Sequence, residues 1–361
     1  MTSTDELESL PVYDITKSYD WNYDNPPNPR ELEIPTTTST WDFFGHKISS
    51  PLGVSAGPLL NGRWILYYAS LGFDILTYKT VRSRERACYP GPNLLPVDCE
   101  QLTGMESSVT ASDSMKGSWA VSFGMPSKDP SIWRRDVEQT RANLPTSKLL
   151  SVSVVGTVQD GWAIGDLAAD YAKCAKWAIE SGADCVEANY SCPNVLTCDG
   201  QLYQQASDAR IVSEHIRDAI GNAPFVIKIG HFMNNDDSAK LVETQYDLVN
   251  AIATTNSVAL AVTDGSGTML FDGNRRGICG AGTLQASIRQ TKVLQSNIEQ
   301  KNSHVELIGV GGIRNSRDVI GYLQAGASSV QIATAAMLNP KVAIEIRADP
   351  SLQQYMLGRH F

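Results

Sequence analysis

The stretch Ser181-Gly-Ala-Asp-Cys-Val-Glu-Ala-Asn189 is a helix stop followed by a short apolar strand. Apolar residues at helical spacing over residues 166–180 precede it, and Ser181-Gly182 ends that helix. The same Gly-Ala junction stands before another apolar run at Gly326-Ala327. Strands that are apolar on both faces and alternate with helices are typical of an α/β protein with a parallel sheet.

Eight strands of this kind are predicted along the chain, at residues 52–56, 75–79, 149–155, 184–189, 225–229, 258–263, 305–310 and 328–332. Further helices are predicted at residues 131–144, 208–220, 237–254 and 284–300. This alternation predicts a closed (β/α)8 TIM barrel with a long insertion after the second strand. The alternative, an open doubly wound sheet, places its glycine-rich nucleotide turn after an early strand, whereas the glycine-rich turn here comes late.

Composition narrows the function classes. The 361 residues carry a formal net charge of −9, which provides no basic surface for nucleic acid. No apolar run approaches the roughly 20 residues of a membrane-spanning helix, and the N-terminus has no signal-peptide pattern. The seven cysteines are an odd number without a Cys-x-x-Cys pair, so we expect no secreted disulfide scaffold, no metal site and a cytoplasmic setting. Residues 1–48 are expected to form an N-terminal arm, and residues 49–361 the barrel.

The segment Asn189-Tyr-Ser-Cys-Pro-Asn194 follows the fourth predicted strand directly. Catalytic residues of barrel enzymes lie at the carboxyl ends of the strands, so Cys192 is a candidate catalytic thiol. Asn189 and Asn194 can each donate and accept hydrogen bonds to an amide-rich ligand. The alternative is a buried cysteine that only fills space.

The seventh predicted strand ends in the glycine-rich stretch Gly309-Val-Gly-Gly312, just before a helix. Backbone N–H groups can approach a phosphate closely at such a turn, and the turns after strands seven and eight are the usual phosphate site of these barrels. The eighth strand ends at Ala333-Thr334. An ordinary tight turn between strand and helix is the alternative.

Two lysines, Lys79 and Lys228, stand at the ends of otherwise apolar strands. A lysine in such a strand is costly unless it is paired or faces a polar cavity. The alternative is a side chain that extends to the solvent at the strand end. Small residues at Ser55-Ala-Gly57, where the first strand ends, leave room for a flat ring against the backbone.

The Asn189-Tyr-Ser-Cys-Pro-Asn194 motif resembles the Asn-x-Ser-Cys-Pro-Asn signature of class 1 dihydroorotate dehydrogenases, and the resemblance extends over residues from about 50 to about 340. It implies an FMN cofactor and oxidation of (S)-dihydroorotate to orotate, with Cys192 as the base and hydride transfer to FMN. The implied FMN contacts are Ser55, Ala56, Gly57, Lys79, Thr80, Asn189, Lys228, Gly280, Gly311, Gly312, Ala333 and Thr334. The implied substrate contacts are Lys79, Ser122, Phe123, Gly124, Met125, Asn189, Asn194 and Thr263.

The chain departs from the family pattern at three places. The family's Asn-Ser-Met-Gly-Leu-Pro-Asn loop is Val121-Ser-Phe-Gly-Met-Pro-Ser127 here, which removes two amides. At the end of the predicted sixth strand, where the family has Asn followed by Ser or Thr, this chain has Asp264 after Thr263, a carboxylate that would repel orotate if it pointed inward. In the stretch that resembles Gly-Gly-Ile-Gly-Gly, Arg276 and Cys279 replace glycines.

These departures leave two alternatives open. One is an FMN enzyme of the same family that acts on another dihydropyrimidine-like or enone substrate. The other is a phosphate-binding barrel isomerase or lyase without flavin. For the main hypothesis we expect a small-molecule substrate, a soluble electron acceptor or a separate reductase subunit, and a homodimer.

Overall fold

In the computed structural model, which describes residues 10–37, 40–191 and 201–358, eight parallel strands close into a barrel. They are Leu52–Val54, Ile75–Val81, Leu149–Val154, Cys185–Asn189, Phe225–Ile229, Ala251–Thr254, Glu306–Val310 and Ser329–Ile332. Each pairs with its neighbour in chain order, and pairing of Val330 with Leu52 closes the ring. The predicted TIM barrel is therefore confirmed.

Helices cover the outside of the barrel. Those that follow the first seven strands are Gly62–Ser70, Pro130–Asn143, Ile164–Glu180, Ala206–Ile220, Asn235–Gln245, Leu284–Gln300 and Ser316–Gln324. After the eighth strand come Thr334–Leu338, Val342–Ala348 and Pro350–Gly358. The strands are buried from both sides, since every residue of Ile75–Val81 and of Leu149–Val154 is buried. This is why they read as continuous apolar runs in the sequence.

The prediction for the sixth barrel strand was wrong. The helix predicted over residues 237–254 ends at Gln245, and its last predicted residues are the barrel strand Ala251–Thr254. All four residues of that strand are buried. A short apolar run soon after an amphipathic helix cannot be distinguished from the end of that helix by periodicity, so the predicted helix included the residues of this strand.

The segment predicted as the sixth strand, Val258–Thr263, belongs to a second sheet. The second sheet is a small closed barrel of five strands. Besides Val258–Thr263 it contains Arg276–Gly280 and three strands from the insertion after the second barrel strand, namely Leu94–Asp98, Ser108–Ala111 and Ser118–Val121. The segments that supply these strands follow the carboxyl ends of the second and sixth barrel strands. They therefore form one substructure on that face of the barrel. The alternating burial of Val258–Thr263 fits a strand covered on one side only.

The N-terminal segment runs along the outside of the barrel. It contains a short helix, Tyr19–Asp24, and a hairpin of Trp41–Phe43 with His46–Ile48. The indole nitrogen of Trp41 donates to the Ser328 carbonyl at 2.7 Å, which ties the hairpin to the start of the eighth strand. In the part of the chain that the structure describes, no helix is both long and apolar enough to cross a bilayer.

Candidate active site

One cavity of about 1170 Å³ opens at the carboxyl ends of the barrel strands. It is lined by sixteen of the site residues proposed from the sequence, namely Ser55, Ala56, Gly57, Lys79, Thr80, Ser122, Phe123, Gly124, Met125, Asn189, Lys228, Gly280, Gly311, Gly312, Ala333 and Thr334. Cys192 and Asn194 lie outside the described residues. The residues on either side of that stretch, Ser191 and Gln201, both line the cavity.

The glycine turn after the seventh strand forms one wall of the cavity. Gly311 and Gly312 have φ angles of +114° and +76°, in the left-handed region that side chains rarely adopt. A Cβ on Gly312 would also lie 2.6 Å from the backbone nitrogen of Leu284. This turn therefore requires glycine, and it leaves its backbone open to the cavity. Arg314 lines the same wall and adds a positive charge.

Lys228 is buried, and it faces the cavity within a polar network. Its Nζ donates to Gln331 Oε1 at 3.0 Å and lies 3.5 Å from Glu187 Oε1. Lys79 is also buried and lines the cavity from the second strand. Glu187 and Gln331 were missed from the sequence, although the argument that flagged the lysines applies to any polar or charged residue inside an apolar strand.

A chain of hydrogen bonds holds the amide that follows the fourth strand. Asn256 Nδ2 donates to Ser191 Oγ at 2.6 Å, and Ser191 Oγ donates to Asn189 Oδ1 at 2.7 Å. Asn189 Nδ2 points to Met125 Sδ at 3.4 Å. Both carboxamides line the cavity and hold fixed orientations toward it.

Asn256 corrects the prediction that the amide after the sixth strand is lost. The true sixth strand ends at Thr254, and the Asn256-Ser257 pair that follows lines the cavity. The Asn-Ser pattern expected from the family resemblance is therefore present. The sequence signal was available, because the same dipeptide follows the short apolar run at residues 249–254.

Thr263 and Asp264 are not part of the cavity wall, so the substrate contact predicted at Thr263 is wrong. The Thr263 hydroxyl donates to the Val109 carbonyl at 3.4 Å within the outer sheet. Asp264 is half-buried at the start of an exposed turn, and it accepts hydrogen bonds from Ser266 Oγ at 2.7 Å and from the Thr268 amide at 2.9 Å. Hydrogen bonds from Ser266 and Thr268 lower the pKa of this carboxyl group. It caps a turn and does not face the cavity, so it cannot repel a bound substrate at close range.

Two side chains without counterparts in the family pattern line the wall. Arg276 donates from Nε to Ser122 Oγ at 3.1 Å, and its guanidinium group lies 4.7 Å from the Phe271 ring centre. Burial raises the pKa of the Cys279 thiol to about 12, although the positive charge of Lys228 acts to lower it. Val121 lines the cavity where the family has an asparagine.

Positive charge predominates in the cavity of this acidic protein. Among the described residues that line it, five are lysine or arginine (Lys79, Lys228, Arg275, Arg276 and Arg314), whereas Glu187 carries the one carboxylate. A concave surface with one sign of charge concentrates ligands of the opposite sign. The cavity is therefore suited to an anionic ligand such as a phosphate or a carboxylate.

The N-terminal segment supports the cavity from behind. The rings of Tyr13 and Tyr19 pack edge-on against Phe123, with centroid distances of 6.4 and 6.1 Å. The Tyr89 ring packs closely against Gly124, since a Cβ added to Gly124 would lie 2.6 Å from the ring atoms. The loop Phe123–Met125 is therefore held between the two tyrosines of the arm and Tyr89 of the insertion.

Comparisons with known proteins identify the family of the chain. Residues 39–352 match the family model for dihydroorotate dehydrogenase. The chain is 31% identical over 358 residues to a dihydroorotate dehydrogenase of Dictyostelium discoideum, which covers 93% of this chain and 96% of the relative. It is 24% identical to a dihydroorotate dehydrogenase (quinone) of Clavibacter michiganensis subsp. michiganensis, over 85% of this chain and 82% of the relative.

Two further comparisons add partial coverage and the fold. A dihydroorotate dehydrogenase B (NAD(+)) catalytic subunit of Petrotoga mobilis is 28% identical over 46% of this chain and 54% of the relative. The crystal structure of the Eimeria tenella dihydroorotate dehydrogenase with ferulenol superposes with a TM-score of 0.72 at 16% identity, over 94% of this chain and 89% of that one. At that identity the likeness concerns the fold. The family match and the similarity over nearly the whole chain show that this protein belongs to the dihydroorotate dehydrogenase family, and that it is an oxidoreductase acting on CH–CH groups.

Proposed function

We propose that the protein is an FMN-dependent dihydroorotate dehydrogenase of the class 1 type, which oxidises (S)-dihydroorotate to orotate with Cys192 as the base. One observation carries the proposal: a single cavity combines the Gly311-Gly312 turn, two buried lysines and the hydrogen-bonded amides of Asn189 and Asn256. A glycine turn suits a phosphate, buried cations suit a flavin that becomes negative on reduction, and amides suit a pyrimidine ring.

The residues present fit FMN. Gly311 and Gly312 would hold the phosphate together with Ala333 and Thr334, and the small residues Ser55, Ala56 and Gly57 leave space for the ring against the first strand. Lys228 would hold the flavin ring. When bound, FMN supplies a hydride acceptor.

Cys192 would remove the proton from the carbon next to the substrate carbonyl, while the adjacent carbon gives up its hydride. Support comes from both flanks of the undescribed stretch, since Ser191 and Gln201 line the cavity. An ordinary thiol has a pKa of about 8.5, so the base becomes more effective as the pH rises toward that value.

The substrate would be oriented by Asn189, Asn194 and Asn256, and by Lys79. The backbone of Phe123–Met125 would contribute further hydrogen bonds, because this loop lines the cavity and is braced from behind. An amide that pairs with a buried substrate group contributes about 1–3 kcal/mol, since its loss leaves that group without a partner.

Specific observations also favour a second candidate, an FMN enzyme of the same family acting on a different dihydropyrimidine-like or enone substrate. Val121 removes an amide from the wall, and Arg276 adds a cation to it. Both changes alter which groups on a substrate ring can find a hydrogen-bond or charge partner in the cavity wall. The presence of Asn256 and the outward position of Asp264 weaken the case for this candidate.

We further propose a soluble electron acceptor or a separate reductase subunit, a homodimer, and a cytoplasmic location. The relatives include catalytic subunits named for NAD(+) and enzymes named for quinone. The five cysteines that the structure describes are free thiols, which supports a reducing compartment. We also propose the division into an arm, residues 1–48, and an FMN-binding barrel, residues 49–361.

The test is anaerobic mixing of the purified protein with dihydroorotate while the flavin absorbance is followed. We expect bleaching in the wild type and none on the same time scale in Cys192→Ala. The matched control is Cys174→Ala, because this thiol is buried in the helix Ile164–Glu180 and does not line the cavity. A protein that is reduced by dithionite but not by dihydroorotate would support the second candidate instead. Absence of bound flavin, with no binding of added FMN, would contradict both.

A further inference from the structure

Three buried polar side chains form one network beneath the cavity. Glu187, Lys228 and Gln331 come from the fourth, fifth and eighth barrel strands, and their exposed fractions are 1%, 3% and 2%. All three also line the cavity wall. The network therefore borders the cavity, although almost none of its surface is accessible to solvent.

The orientation of the Gln331 carboxamide is fixed by its neighbours. Its Nε2 donates to Thr77 Oγ1 at 3.1 Å and to Glu187 Oε2 at 3.0 Å, and its Oε1 accepts from Lys228 Nζ at 3.0 Å. Both amide hydrogens are used, so the side chain cannot flip without losing bonds. Gln331 thus holds the ammonium group on one side and the carboxylate on the other.

Lys228 has capacity left for a ligand. An ammonium group has three hydrogens, and within the described part of the chain Lys228 has one hydrogen-bond partner, Gln331 Oε1, and one ion-pair partner, Glu187 Oε1 at 3.5 Å. One hydrogen therefore remains for an acceptor in the cavity.

The charge of Glu187 is the unusual part of this network. Its Oε1 is buried and accepts no hydrogen bond from the described residues; its contact there is the ion pair with Lys228. A neutral amide at position 187 could accept the same hydrogen bond from Gln331. What the carboxylate adds is a negative charge directly beside the lysine.

We infer that Glu187 is a positioning residue that sets the reduction potential of the bound flavin by offsetting the charge of Lys228. The inference rests on the proposed binding of FMN. Transfer of a hydride from substrate to flavin places negative charge on the flavin, while the substrate proton passes to the Cys192 thiolate. A nearby cation raises the potential of that couple and a nearby anion lowers it. Glu187 therefore keeps the potential below the value that Lys228 alone would set, which favours passing the electrons on to the acceptor.

The test measures the flavin potential by equilibration with a reference dye, and the affinity of the oxidised flavin for sulfite, which adds negative charge to the ring. We expect Glu187→Gln to raise the potential by about 30 mV or more, equivalent to tenfold in a two-electron equilibrium. Sulfite should bind tenfold or more tightly. Lys228→Met should shift both quantities the opposite way. Thr77→Val removes an uncharged member of the network and should change sulfite affinity less than threefold.

A purely structural role for Glu187 makes a different prediction. Its loss would then loosen Lys228, so the potential of Glu187→Gln would be unchanged or lower, and either result would overturn the inference. If Glu187→Gln does not fold, Glu187→Asp keeps the charge but draws it away from Lys228. A smaller upward shift is expected, and no shift in a folded Glu187→Asp protein would overturn the inference equally. A protein that binds no FMN would instead contradict the proposed function on which the inference rests.

Discussion

The ring of Tyr13 packs edge-on against the ring of Phe123, with 6.4 Å between the centroids and 89° between the planes. Tyr13 belongs to the N-terminal segment, and Phe123 to the loop that lines the cavity. The contact therefore connects the arm with the proposed substrate site, and it assigns the arm a role in holding that loop.

We predict that Tyr13→Leu raises the KM for dihydroorotate about two- to tenfold, with a smaller change in kcat. Loss of an edge-to-face aromatic pair costs about 0.5–1.5 kcal/mol, and this loss destabilises the loop conformation that binds substrate. Steady-state kinetics would measure it. Tyr13→Phe keeps the ring and should behave as the wild type. Equal KM values for Tyr13→Leu and the wild type would show that the loop does not depend on the arm.

We predict that Asn256→Ala weakens orotate binding by roughly ten- to a hundredfold, since an unpaired buried polar group costs about 1–3 kcal/mol. The substitution also removes the hydrogen bond that orients Ser191. Perturbation of the flavin spectrum by added orotate would give the dissociation constant. Asp264→Asn, on an exposed turn outside the cavity, should stay within about twofold of the wild type. A large effect at Asp264 with none at Asn256 would contradict the assignment of the sixth strand.

We predict that Gly312→Ala lowers FMN affinity more than about tenfold. A side chain at φ +76° is strained, and its Cβ would lie 2.6 Å from the Leu284 nitrogen, so the turn must move. Quenching of FMN fluorescence on addition to the apoprotein would report the affinity. Gly165→Ala is the matched control, because it lies in a helix with no atom within 4 Å of the added Cβ. Unchanged affinity in Gly312→Ala would place the phosphate elsewhere.

We predict that flavin reduction by dihydroorotate speeds up as the pH rises and levels off above a pKa of about 8.5, since the base acts only as a thiolate. Two other thiols near the site cannot produce this inflection, because burial raises the pKa of Cys88 to about 11 and that of Cys279 to about 12. Rapid-mixing measurements across this range would define the profile. Cys192→Ser should slow the reaction and move the inflection upward, whereas Cys279→Ser should leave the inflection in place. Movement of the inflection with Cys279→Ser would assign the base to that residue.

Much of the site could be predicted because it is local in sequence. Lys228 stands out as a charge in an apolar strand, and Gly311-Gly312 as a glycine pair between a strand and a helix. Each signal lies within a few residues and depends on no distant contact. The same holds for Asn189, which is the last residue of its strand and the first residue of the Asn-Tyr-Ser-Cys-Pro-Asn motif.

The sixth strand shows where local reasoning failed. Ala251–Thr254 is four residues long and follows a helix closely, so its apolar residues read as a continuation of that helix. Val258–Thr263 has the stronger strand pattern but lies in the outer sheet. The sixth barrel strand is the segment that pairs with Phe225–Ile229, and this pairing cannot be predicted from the residues of either segment alone.

The sequence by itself determined the barrel and the residue types at the ends of its strands, because burial on both faces and glycine turns leave local patterns. Only the tertiary structure decided that Asn256 lines the cavity while Thr263 does not, and that Glu187, Lys228 and Gln331 form one network. These three come from strands far apart in the sequence. Closure of the barrel brings their side chains within hydrogen-bonding distance, and this distance is set by strand pairing and register, which arise only when the whole chain folds.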